Sequence, residues 1–323
     1  MNAAERMKRL SVILLVDPGN LRPGGQRLIS GHPDGCLLHA LRRLARRTML
    51  VPFNGLKPLM ECLERERPDV VFNLTEWVDG DRTKDGHICA LLDLHGVPYT
   101  GPGPKGMMLC RDKALSKLVA EKAGFKVPRF FAVGRRTKSP LPFPLVVKPQ
   151  FGDASEGISQ ASLVRSDDGL QRRAEMLRRA GIHAVIAEEY AGGRELFVLM
   201  LGKRIMSIRE LRMKRSGSRS PALFSEQLKS DKNYRRRWGV RLVSAKLTPA
   251  QHRELVRISR RAADALELRD YGRFDVKLTP SGEFVFLEAN PNPAVVPARW
   301  RGMAFHEVVT EITLRAWRRG QGV

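Results

Sequence analysis

Short apolar runs alternate with helical patterns through the first hundred residues. "LSVILLV" is continuous enough for a strand buried on both faces, and "TMLVPF" and "PDVVFNLT" follow as further strands. Between them, "CLLHALRRLARR" and "LKPLMECLERER" carry apolar residues at helical spacing. "DGHICALLDLHG" is a third helix, ending on a glycine, and "VPYTG" closes the unit. Such alternation leaves few solutions: an α/β fold with a doubly wound parallel sheet, its functional loops at the carboxyl ends of the strands. The first such loop, "DPGNLRPGG", lacks the GxGxxG spacing, which disfavours a nicotinamide site.

A proline- and glycine-rich joint, "TGPGPKG", marks a boundary near residue 105. The next helix, "RDKALSKLVAEKAG", is expected to turn Leu115, Leu118 and Val119 inward and to stop at Gly124. Strand patterns follow in "RFFAV", "PLVVKP", "AVIAEEY", "ELFVLML" and "KRIMSI". The polar, basic stretch "RMKRSGSRSPALFSEQLKSDKNYRRR" reads as a long mobile loop of the kind used for lids. The helix "PAQHRELVRISRRAADAL" then precedes a hairpin, and "FHEVVTEITLRAWRR" closes the chain.

With 323 residues the chain can bury the cores of two or three domains. Its longest aliphatic run, "VILLV", is far too short to cross a bilayer, and the charged "MNAAERMKRL" does not open a secretory signal. Cys36, Cys62, Cys89 and Cys110 are scattered without zinc-type spacing, so a reduced, cytoplasmic protein is expected. The net charge of +23 admits a nucleic-acid partner or an anionic substrate. However, "LRRLARR", "QRRAEMLRRA" and "RAWRRG" look like solvated helix faces without interleaved stacking aromatics, which disfavours nucleic acid.

The hairpin "YGRFDVKLTPSGEFVFLEANPNP" carries unusual chemistry. Arg273, Asp275 and Lys277 alternate with Phe274, Val276 and Leu278, "TPSG" supplies the turn, and Phe284, Phe286, Glu288 and Asn290 are expected on one side of the second strand. If Leu278 pairs with Glu283, Arg273 opposes Glu288, and Asp275 becomes a diagonal neighbour of Glu288. Two carboxylates and an amide oxygen suit Mg²⁺, with the arginine beside them steadying a transferring phosphoryl group. A plain Arg273–Glu288 ion pair on a solvated face is the alternative. In "FPLVVKPQFGDASEGI", a buried strand delivers Lys148 ahead of the small residues Gly152, Ala154, Ser155 and Gly157. Backbone N–H groups there can approach phosphate oxygens, and the lysine adds a point charge. An ordinary strand connection with a surface lysine fits the same residues. Each cluster asks for what the other supplies: phosphates for the cations, and oxygen ligands for the Mg²⁺ that phosphates carry.

Along almost its whole length the chain resembles the ATP-grasp superfamily, in its D-alanine–D-alanine ligase-like branch. The resemblance rests on "VFNLTEWVDGDRTKDGHICALLDLHGVPYTGPGPKGMMLCRDKALSK", "VVKPQFGDASEGI", "EEYAGGRE" and "GRFDVKL…FLEANPNP", in that order. It implies a Rossmann-like domain over residues 1–105, a small ATP-grasp lobe with the glycine-rich loop over 106–190, and an α+β C-terminal lobe with lid and hairpin over 191–323. It implies that Lys113 and Lys148 contact ATP phosphates, with Gly152, Ala154, Ser155 and Gly157 in the phosphate loop. Glu188 would lie near the adenine and Glu195 at the ribose. Asp275, Glu288 and Asn290 would hold two Mg²⁺, with Mn²⁺ able to substitute, and Arg273 would steady the acyl phosphate. The implied reaction joins a carboxylate, phosphorylated by ATP, to an amine. Its substrates would be small, in the amino-acid class, and the family's frequent homodimers extend to this chain as an expectation.

Departures concern the substrates. The glutamate usual in the first loop is missing, and Glu76 in "NLTEW" could replace it. One serine of the glycine loop is Ala154, the lid's lysine–tyrosine pair is replaced around Gln227 and Leu228, and "PNPAVVPARW" replaces a serine-bearing segment. Two rival readings stay open: an ATP-grasp kinase that stops after phosphorylation, and a basic nucleic-acid-binding protein on a relict scaffold.

Overall fold

A computed structural model of the chain describes residues 2–23, 27–136, 138–152, 156–214, 223–300 and 302–322. Strands β1 (Ser11–Val16), β2 (Arg47–Pro52) and β3 (Val70–Asn73) form a parallel sheet in the order β2–β1–β3. β1 and β3 are buried at every position, because both faces of the sheet are covered. Leu14, Val16 and Phe72 pack with the helices Asp34–Leu44 and Phe305–Gly320. Ile13, Leu15 and Val71 pack under the helices Leu56–Glu66 and Asp85–His95. The chain leaves β1 toward β2 and returns to β3 on the other side, a reversal that opens a crevice between the ends of β1 and β3.

Two antiparallel sheets follow. β4 (Phe130–Ala132), β5 (Leu145–Pro149), β6 (Leu163–Val164) and β7 (Val185–Glu189) assemble as β4–β7–β5–β6. The helix Asp167–Arg179 covers them, with Leu170, Ala174 and Leu177 in the shared core. β8 (Arg194–Leu201), β9 (Arg204–Arg212), β10 (Arg241–Ser244), β11 (Tyr271–Leu278) and β12 (Phe284–Asn290) assemble as β10–β9–β8–β11–β12. Phe125, Phe274 and Phe286 meet beneath this sheet at ring centroid distances of 5.6, 5.9 and 6.2 Å. Burying each such ring contributes roughly 1.5–3 kcal/mol. The last helix returns to the beginning of the chain: Asp270 accepts from the Gly101 N–H and from Arg319, which also donates to the Tyr99 carbonyl.

Three expectations from the sequence are corrected. In the helix Lys113–Ala123, Val119 packs against the core as expected, but Leu115 and Leu118 are exposed, and Lys113, Ser116, Lys117, Ala120 and Ala123 face inward. The small residues let this helix pack closely on β12 and on the helix Pro249–Ala265, which turns the lysines toward the cleft. The stretch expected to be one long loop instead contains the helices Glu226–Ser230 and Lys232–Arg237. Asp231 caps the second through the N–H groups of Asn233 and Tyr234, and Leu228 is fully buried. Within that stretch, residues 215–222 lie outside the described residues. The third correction is the register of the hairpin.

Candidate active site

The two antiparallel sheets face each other across a cleft lined by Lys148 and Glu188 from one sheet and by Glu195, Asp275, Lys277 and Glu288 from the other. Val146, Ile158, Tyr190, Phe224 and Leu287 supply its apolar walls. It encloses about 630 Å³ of empty space, its open mouth included. Lys148 pairs with Ile186 in the ladder and Val146 with Glu188, so Lys148 and Glu188 are diagonal neighbours on one face.

Glu188 is the anchor of this cleft. Lys148 Nζ lies 2.5 Å from one of its carboxylate oxygens and Lys117 Nζ 2.9 Å from the other. All three side chains are buried. Burial by itself raises the Glu188 carboxyl, but the Lys117 and Lys148 ammonium groups outweigh it and hold it below the usual carboxylate range. Burial pushes the Lys117 ammonium down to about 8 despite Glu188 beside it. Lys117 also donates to the Leu287 carbonyl at 2.9 Å, so one ammonium joins the helix, β7 and β12. Lys113 reaches the glycine loop, donating to the Gly152 carbonyl at 2.9 Å. Gly152 and Gly157 have φ of +111° and +66°, a backbone that side chains disfavour. From the helix Glu226–Ser230, Glu226 accepts from the Gly157 N–H at 3.2 Å. Ala154 and Ser155 lie outside the described residues.

The hairpin closes one residue later than expected. Leu278 pairs with Phe284 rather than Glu283, and a bulge between Phe286 and Glu288 makes Leu287 the extra residue. Beyond it, Asp275 directly opposes Glu288, and Arg273 opposes Asn290. The bulge also reverses the alternation. Phe284 and Phe286 enter the core with Phe274 and Val276, whereas Glu288 lines the cleft opposite them; the four residues do not share a side. In place of an Arg273–Glu288 pair, Arg273 grips Asp275 on its own strand, at 2.6 and 3.0 Å, and lies over the Phe197 ring.

The acids and amide at this end form an all-oxygen set suited to Mg²⁺. Direct opposition of two carboxylates on a ladder is unfavourable unless a cation sits between them. The Asn290 side-chain oxygen already accepts from the Asn292 N–H at 2.9 Å, which fixes its orientation. Among the described residues no group of three His, Cys, Asp or Glu side chains converges as a metal cluster.

A second, larger cavity adjoins the first. Glu76, Arg273 and Asn290 line it together with Arg209, Arg235 and residues of the segment after the hairpin, Ala294, Val296 and Ala298. Glu76 sits at the crevice after β3. Its backbone N–H and that of Trp77 donate to Asp17 at the end of β1, at 3.1–3.2 Å, and its carboxylate pairs with Arg82. Burial pushes the Asp17 carboxyl up to about 6 against those donors. Arg82 stacks on Trp77 and lies 3.5 Å from Glu156 of the glycine loop.

Thus Lys148, Glu188, Glu195, Asp275 and Glu288 converge on one cleft, and Glu76, Arg273 and Asn290 on the neighbouring one. Glu195 is held there by Lys277 at 2.7 Å. Sequence reasoning missed Lys117, Lys277 and Arg82. The four-residue spacing of Lys113 and Lys117 among Ala and Ser was the available signal for Lys117.

Residues 122–313 match the family model described as the D-ala D-ala ligase C-terminus. A D-alanine–D-alanine ligase of Methylobacterium radiotolerans is 31% identical over 260 residues, 75% of this chain and 79% of the relative. An uncharacterised protein of Sinorhizobium fredii is 31% identical over 312 residues, 88% of each chain. The fold matches the D-alanine–D-alanine ligase of Bacillus anthracis with a TM-score of 0.74 at 20% identity, covering 97% of this chain and 99% of that one. The chain belongs to the D-alanine–D-alanine ligase family, ATP-grasp enzymes that use ATP to form carbon–nitrogen bonds.

Proposed function

We propose that this ligase phosphorylates the carboxylate of one small substrate, in the amino-acid class, and lets the amine of a second displace phosphate to form an amide. The observation carrying this reading is the pairing of Asp275 with Glu288 in the same cleft as the Lys148–Glu188–Lys117 cluster. Lys148 and Lys113 meet the phosphates beside the glycine loop, where N–H groups of that loop add donors. Val146, Ile158 and Leu287 sandwich the base, Glu188 stands near it, and Glu195 accepts from the ribose. Asp275, Glu288 and Asn290 would hold Mg²⁺, which when bound would supply charge neutralisation for the phosphoryl group in transfer. Arg273, aimed by Asp275, stabilises negative charge on the acyl phosphate. Glu76 faces the same cavity and suits the ammonium of the acyl donor. Catalysis on this account is alignment and charge neutralisation, so no nucleophilic side chain is required.

Among the described residues no helix is long and apolar enough to cross a membrane. We place the protein in the cytoplasm, where ATP is supplied and its four cysteines, none in a disulfide, stay reduced.

An ADP-release screen over pairs of D- and L-amino acids and short peptides tests the reading, with Asp275→Asn as control. Amino-acid-dependent ADP release that collapses in the variant is expected. A stable phosphoester without amide would identify a kinase instead.

A further inference from the structure

Three features of the larger cavity describe what fills it. The first is reach. Asp275, Phe197 and Arg209 are successive ladder partners across β11, β8 and β9, so they share one face of the sheet. Two strand spacings separate the backbone of Arg209 from that of Asp275 by about 10 Å. An extended peptide of two or three residues covers about that distance, the arginine side chain making up the remainder. The second is polarity. Phe197, Leu199, Phe224, Leu242 and Val296 line the cavity, far more apolar surface than the single methyl group of alanine can cover. The cavity encloses about 1490 Å³ of empty space, its open mouth included. The third is charge. Among the described residues the lining carries three guanidinium groups, of Arg209, Arg235 and Arg273, and one carboxylate, of Glu76. Arg273 lies at the reacting end beside Asp275, whereas Arg209 comes from β9 and Arg235 from the helix Lys232–Arg237.

Resting on the ligase reading above, we infer that the amine acceptor is longer than alanine, apolar in its body and anionic at the end remote from its amine. A short peptide with a free C-terminal carboxylate has this chemistry. Its amine attacks the acyl phosphate near Arg273 and Asn290, the amide bond forms as the carbon–oxygen bond to phosphate breaks, and the amine proton leaves to solvent. Its carboxylate meets Arg209 and Arg235. Charge-assisted hydrogen bonds there favour the acid over its neutral amide by about tenfold or more.

The test compares acceptors at fixed ATP and a fixed acyl donor: alanine, alanyl-phenylalanine and its C-terminal amide, in both D and L forms, with amide product measured by mass spectrometry. The expected kcat/KM for the dipeptide acid exceeds that for alanine and that for the dipeptide amide by about tenfold or more. In Arg235→Gln the acid-to-amide ratio falls toward one. If alanine is the best acceptor, or acid and amide react alike in the parent protein, the inference is overturned while amide formation still upholds the ligase. If no pair yields an amide, the ligase reading falls and the inference with it.

Discussion

The Lys117 ammonium lies 2.9 Å from the Glu188 carboxylate, and both side chains are buried. Because the same ammonium donates to the carbonyl of the bulged Leu287, it ties the lysine-bearing sheet to the hairpin that carries Asp275 and Glu288. Lys117→Met would leave Glu188 with one cationic partner and the Leu287 carbonyl without this donor. Removing one member of a buried ion pair costs about 3–5 kcal/mol, which urea denaturation would register. The Lys117→Met/Glu188→Gln double variant should cost less than the sum of the two single changes. Strict additivity would mean that the two groups are not coupled.

Opposed carboxylates predict a stability that depends on the cation. The variant that tests this is Glu288→Gln, which removes the charge of one of the two opposed carboxylates. With Mg²⁺ and ATP at a hundredfold excess over Kd, the parent protein should gain about 2.7 kcal/mol. The variant should lose most of that gain, as should the parent protein in EDTA. Thermal shift with and without Mg²⁺-ATP measures both, and an equal gain in the variant would remove Glu288 from the ligand set.

How much of this was legible in the chain differs from element to element. The parallel sheet announced itself because β1 and β3 are buried on both faces, and burial of that kind writes an unbroken apolar run. The hairpin's polar row was visible as alternation, yet its register was not. A bulge at Leu287 adds one residue without altering the pattern of residue types, so Phe284, Phe286, Glu288 and Asn290 look like one face when they occupy two. The helix Lys113–Ala123 misled for a different reason. Leu115 and Leu118 are exposed while Lys113 and Lys117 are buried, since Glu188 compensates Lys117 from a strand some seventy residues away, a partner that no local periodicity can reveal. The short helices Glu226–Ser230 and Lys232–Arg237 carry one side-chain cap, at Asp231, and one buried leucine, signals too local to stand out in a basic stretch.

The crevice after β1 predicts a pH effect. Burial raises the Asp17 carboxyl to about 6 from its ordinary 3.8. Between these values the folded protein holds a proton that the unfolded chain has released. The contribution of Asp17 is therefore complete below about 3.8 and lost as pH rises through about 6. Asp17→Asn has no such dependence, so its melting temperature relative to the parent protein should rise across that window. A flat difference between pH 4 and 6 would contradict the assignment.

A second buried pair makes a purely structural prediction. Arg111 lies 2.6 Å from Asp85, with both side chains nearly inaccessible to solvent. Arg111→Met should cost about 3–5 kcal/mol, and Arg111→Met/Asp85→Leu should recover much of it. Denaturant midpoints of the two variants decide the point.

The central claim is that a carboxylate is activated by phosphorylation in the cleft where Asp275 meets Glu288. It is tested most directly by supplying the acyl donor with its carboxylate labelled with ¹⁸O and analysing the released inorganic phosphate by mass spectrometry. An acyl phosphate carries one carboxylate oxygen to phosphorus, so one ¹⁸O in the phosphate, formed in step with amide and lost in Asp275→Asn, is the predicted result. Amide formed with unlabelled phosphate, or labelled phosphate released undiminished by Asp275→Asn, would contradict it.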